Sequence, residues 1–136
     1  MPAAHVYKIA DADDPKAEAL KQLGDLSRIR LAPPRVLLWT FIRSRKLASG
    51  LYVPDKEVKE DVHQGVVGLV LKKGDAAFVD DDEHKFHGFK AEVGEWVLFK
   101  PGNAQRVQIN GVDCRYIEDT LVDMVIDDPE SVTHRQ

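Results

Sequence analysis

The apolar residues of this chain gather into runs too short for a typical buried helix. Residues 35–42 read RVLLWTFI, residues 66–71 read VVGLVL and residues 96–99 read WVLF. Each run is β-branched or aromatic and is bounded by Pro, Gly or charge, which predicts strands. Residues 106–109 and 112–117 alternate around Asn110-Gly111. That dipeptide predicts a two-residue type I′ hairpin, because both turn residues must take positive φ. The register then sets Ile109 opposite Val112 and Val107 opposite Cys114. A last short strand is expected at residues 121–126. Strands of this size without helical crossovers predict an all-β fold, a small antiparallel barrel or sandwich.

Three parts follow along the chain. Residues 1–27 form an N-terminal extension with a short helix, capped by Asp14, begun by Pro15 and stopped by Gly24. Ala17, Leu20 and Leu23 are expected on its apolar face, a stripe too short to stabilise a helix alone. Residues 28–127 form the β domain. Residues 128–136 form a polar tail with no apolar periodicity. The 136 residues, 43% hydrophobic, suit one domain with a modest core. A net charge of -4 disfavours non-specific nucleic-acid binding, which rests on neutralising phosphates. A single cysteine, Cys114, excludes an intrachain disulfide and suits a reducing compartment. No apolar run approaches the ~20 residues that span a bilayer, and the N-terminus lacks an apolar signal core, so the expected location is the cytoplasm.

Two long segments interrupt the strands, at residues 43–64 and 72–94. Connections beyond about a dozen residues are uncommon in compact domains and are often functional. The first carries Gly50, Leu51, Tyr52, Val53 and Pro54 between basic and mixed-charge stretches. Three consecutive apolar residues inside a charged loop mark a binding site; the plainer alternative is an edge strand folded onto its own domain. The second segment carries the acidic run Asp80, Asp81, Asp82 and Glu83, followed by His84 and His87.

The order of these motifs resembles the GroES-type co-chaperonin, or chaperonin-ten, family over residues 28–127. Ile29-Arg30-Leu31, Pro34 and Arg35-Val36 are similar to its opening strand. Gly50, Leu51-Tyr52-Val53, Pro54 and Asp55 resemble its mobile loop, and Gly65-Val66-Val67 the strand after it. Val93-Gly94-Glu95-Trp96-Val97-Leu98-Phe99 resembles the strand after the roof hairpin. Tyr116-Ile117-Glu118-Asp119 matches loosely, and Met124-Val125-Ile126 looks like the final strand. Ser49 stands where a second Gly is common, and Tyr52 is bulkier than the usual aliphatic residue. Such departures would suit a virus-encoded member acting in a host cytoplasm.

The resemblance implies a small GroES-like antiparallel β-barrel with two long loops and a short N-terminal helical extension. It implies a homo-oligomer, a heptameric ring, that caps a large GroEL-type chaperonin ring through residues 50–54 and assists protein folding. It implies subunit contacts between the first strand of one copy and the last strand of the next, here Ile29 and Leu31 against Met124, Val125 and Ile126. The acidic run would lie in the roof. ATP would act on the partner ring, so no cofactor is expected, nor any nucleic acid or membrane. No Gly-rich phosphate loop occurs. His84 and His87 beside carboxylates could hold a divalent metal, but a solvated loop tip is the favoured reading. Cys114 reads as a buried structural thiol rather than a nucleophile. A zinc-dependent dehydrogenase would need a Cys/His site and a dinucleotide domain, so no enzyme activity is expected. The remaining alternative is a structural or assembly β-barrel protein that binds another partner through the same loop.

Overall fold

The computed structural model describes residues 9, 12–42 and 67–132. Helix α1, Pro15–Leu23, precedes six strands: β1 Arg35–Thr40, β2 Val67–Lys73, β3 Trp96–Phe99, β4 Gln105–Ile109, β5 Val112–Glu118 and β6 Val122–Ile126. Short 3-10 turns occupy Pro101–Asn103, Asp119–Leu121 and Pro129–Ser131. The last lies in the stretch read as a polar tail; Asp128 caps it by accepting from the Glu130 N–H.

The strands form one antiparallel sheet in the order β4-β5-β1-β2-β3-β6. All six strand positions agree with the apolar runs. The Asn110-Gly111 turn has φ of 50° and 79°, and pairs Ile109 with Val112 and Val107 with Cys114, as the dipeptide predicts. The expected closed barrel is not formed. Among the described residues β4 and β6 are open edges, so this is a sheet with two ends.

Burial from both sides takes the place of closure. β1 is buried at every position from Val36 to Thr40, and β2 from Val67 to Leu71. A strand covered on both faces reads as a continuous apolar run rather than an alternation. On one face Leu37, Trp39, Leu69, Leu71, Val112 and Cys114 pack with Ile9, Ala19 and Leu23 from the extension. On the other, Val36, Leu38, Val70, Val97, Phe99 and Ile117 pack with Ala77, Phe78 and Ala91 from the β2–β3 connection.

The extension is therefore part of the core. Asp14 caps α1 by accepting from the Ala17 N–H, at 3.2 Å, and Gly24 ends it at φ 69°. Its buried face differs from the expected one: Ala19 and Leu23, one turn apart, point inward, while Ala17 and Leu20 are exposed.

Residues 28–31, expected as a first strand, lie outside the sheet. Asp25 turns the chain just before them, accepting from the backbone N–H and hydroxyl of Ser27. Pro33 and Pro34 follow, and neither can donate to a ladder.

Gly74 ends β2 where the chain passes closest to the β1 approach. Its N–H donates to Arg35 O, and a Cβ there would collide with the carbonyl oxygens of Ala32 and Pro33. Backbone cannot yield as a flexible side chain can. Gly74→Ala should therefore destabilise the fold by about 2 kcal/mol or more, read as a lower denaturation midpoint with an unchanged m-value.

Candidate functional site

The strongest candidate in the sequence, Gly50, Leu51, Tyr52, Val53 and Pro54, lies outside the described residues, as does the rest of segment 43–66. Both of its anchors are described. β1 and β2 are neighbours, with Thr40 paired to Gly68, and the Phe41 N–H donates to Val67 O at 3.0 Å. The described residues on either side of the segment thus lie on adjacent, bonded strands. Ile42 is buried in the extension-covered core, and Phe41 packs edge-on against Trp39 and Trp96, with centroids 6.3 and 5.3 Å apart.

Polar groups collect on the opposite face at the same end of the sheet. Trp39 pairs with Cys114, so Thr40 and Asp113 follow at the same end of the β1–β5 ladder. Asp113 and Arg115 are buried, and Arg106 reaches Asp113 Oδ1 at 3.2 Å. Burial pushes the Arg115 guanidinium down from its ordinary pKa; the Asp113 carboxylate opposes this, and nearby Arg106 adds to it. Thr40 Oγ1 and Asp113 Oδ2 are buried without a hydrogen-bond partner among the described residues. Sequence reasoning missed this cluster. Its signal is the alternation in residues 112–117, which puts Asp113 and Arg115 on the face shared with Ile117.

The second long connection, expected as a roof loop at residues 72–94, begins after β2 ends at Lys73 and folds back over the sheet. Phe78 takes φ 61° and packs edge-on against Phe86 and Phe89. Asp119 holds it there: its carboxylate, buried, accepts from the Phe78 N–H at 2.9 Å and the Thr120 N–H at 2.7 Å. Nothing local in the sequence marks Asp119 as buried.

Asp80, Asp81, Asp82 and Glu83 are exposed at the tip. Asp80 accepts from the Phe86 N–H and Asp81 from the Glu83 and His84 N–H groups. Those bonds, His84 first, hold the Asp81 carboxyl below its usual range. Two of the four carboxylates thus shape the turn. Among the described residues no cluster of three or more His, Cys, Asp or Glu could hold a metal ion.

The residues expected at subunit contacts separate into two places. Ile29 and Leu31 sit half-buried in irregular backbone, whereas Met124, Val125 and Ile126 lie on the open edge strand β6. There the cross-strand pairs Trp96–Ile126 and Leu98–Met124 leave apolar surface partly exposed. A groove of about 670 Å³, lined by Glu95, Trp96, Val125, Ile126 and Asp127 among others, runs beside them. From Glu118 to Val132 the chain carries Glu118, Asp119, Asp123, Asp127, Asp128 and Glu130 but no Lys or Arg, whereas Arg28 and Arg30 flank Ile29.

In comparisons with known proteins, no family model matches the chain and no curated protein matches it. No described helix is long and apolar enough to cross a membrane.

Two expectations test these sites. Asp119→Ala orphans two N–H groups and should cost about 2–4 kcal/mol, with faster hydrogen exchange at the Phe78 amide. Cys114 is buried at the hairpin, and burial, aided by the Asp113 carboxylate, pushes its thiol up to about 12. It should resist alkylation at pH 8 in the native protein and react fully in denaturant. Above about 9, the thiol's ordinary value, only the unfolded form ionises. The group's contribution to stability therefore falls as pH rises from there toward about 12.

Proposed function

We propose that the chain is a co-chaperonin subunit that caps an ATP-dependent chaperonin ring through Leu51, Tyr52 and Val53. The observation that carries this reading is the placement of segment 43–66 between two bonded neighbour strands, Phe41 N–H to Val67 O, in an antiparallel sheet. A long excursion with clamped ends can present an apolar tripeptide without disturbing the sheet that bears it. The co-linear GroES-type motifs supply the identity of the partner.

The energetics favour many loops over one. Burying Leu51, Tyr52 and Val53 contributes about 1.5–3 kcal/mol each, while ordering a flexible residue costs about 1–2 kcal/mol. One loop therefore gains little net. A ring of copies raises the effective concentration of each further loop once the first has bound. Weak single contacts also let the cap release when the partner changes state. The open β6 edge, with its exposed Met124 and acidic flanks, supports a head-to-tail contact to the Arg28–Leu31 stretch of a second copy.

Replacing Leu51, Tyr52 and Val53 together with Ser should abolish co-elution with a chaperonin ring in ATP. Native mass spectrometry should give the same ring for the variant and the parent protein, with unchanged thermal stability. Normal co-elution by the triple variant would overturn the site. Ring assembly with no chaperonin binding by the parent protein would favour a structural or assembly role through the same loop.

A further inference from the structure

The extension packs on the face of the sheet that carries both tryptophans of the chain. Ile9, Ala19 and Leu23 share a cluster with Trp39 and Ile42, and Trp96 and Phe41 pack at its margin. Lys16 lies 5.8 Å from the centre of the Trp96 ring. A nine-residue helix is too short to persist in water by itself, so α1 exists only while docked.

The docking has a definite polar latch. The Asn110 side-chain N–H donates to Leu23 O at 2.8 Å, satisfying a carbonyl in the last turn of α1. In return the Gln22 side chain donates to Asn110 O at 3.2 Å. Lys72 Nζ adds a bond to Leu26 O at 3.0 Å. Asn110 therefore has two roles: its φ of 50° makes the hairpin turn, and its side chain holds the helix.

The docked state also contains an unmet demand. Trp39 is 1% exposed and its indole Nε1 is buried without a partner among the described residues. An unpaired buried donor favours any state that lets water reach it.

From these three features we infer that Ile9 and residues 12–26 form a latched strap, which undocks as a unit while the sheet stays folded. Undocking uncovers Trp39, Phe41 and Ile42, the last described residues before segment 43–66. The N-terminal extension is thereby a conformational device that controls access to the aromatic face at the base of that segment. Its low-stability element is the helix and its latch is Asn110. The inference goes beyond the co-chaperonin reading, and none of its measurements involves a chaperonin.

Two substitutions at Asn110 separate the latch from the turn. Asn110→Gly keeps positive φ freely available and removes the side-chain donor. Asn110→Asp keeps the size of the side chain and sets an acceptor against Leu23 O. In the full-length protein, native-state hydrogen exchange and acrylamide quenching of tryptophan fluorescence provide the readouts. Both variants should exchange at Glu18 and Gly24 about tenfold faster than the parent protein. Leu69 and Val70 amides should keep their rates, and quenching should rise. Should the strap and sheet amides exchange in step in the parent protein, the extension is one cooperative unit with the sheet and the device does not exist. Unchanged strap rates in both variants would refute Asn110 as its latch.

Discussion

The fold depends on covering two faces at once. β1 and β2 are apolar along nearly their whole lengths, so leaving either face of the central sheet to water is costly. A closed barrel meets such a demand by wrapping one face inward. Here two pieces of chain remote in sequence supply the covers: the extension on the side of Trp39 and the β2–β3 connection on the side of Leu38. Neither cover has much structure of its own. Each is ordered by the surface it buries, and that surface is sealed only when the cover is in place.

The polar contacts follow from this arrangement. A connection that folds back over an apolar face must find partners for its own N–H groups, because backbone donors cannot be buried unpaired. Asp119 does this for Phe78, while at the exposed tip the Asp80 and Asp81 carboxylates fix the turn that brings Phe86 beside it. On the other face the Asn110 side chain donates to the Leu23 carbonyl at the end of α1. The side chains that look most like loop polarity are thus the ones that fasten the covers.

This explains what could be read from the sequence. The six strands and the Asn110-Gly111 register were legible because they rest on local chemistry: β-branched runs and a turn that requires positive φ. The buried face of α1 was not, since Ala17, Leu20 and Leu23 satisfy helical spacing as well as Ala19 and Leu23. The choice is made by docking to a hairpin far along the chain. Residues 28–31 were expected as a strand only through the family resemblance; the turn at Asp25 and the pair Pro33-Pro34 accompany their place outside the ladder. The burial of Asp119 has no local signal, because its partner Phe78 is forty-one residues away. Leu51, Tyr52 and Val53 are legible only as a sequence pattern; the described structure contributes the bonded strand ends that flank them.

The edge strand β6 has a consequence for self-association. An unpaired edge invites a copy of itself, since its free N–H and C=O groups suit any extended chain. Asp123 and Asp127, with Asp128 just beyond, make that self-pairing unfavourable, because two such edges side by side would bring like charges together. A twofold dimer through β6 is therefore penalised electrostatically, and an approaching chain is tolerated according to its sign. The edge thus carries a charge pattern that disfavours its own image.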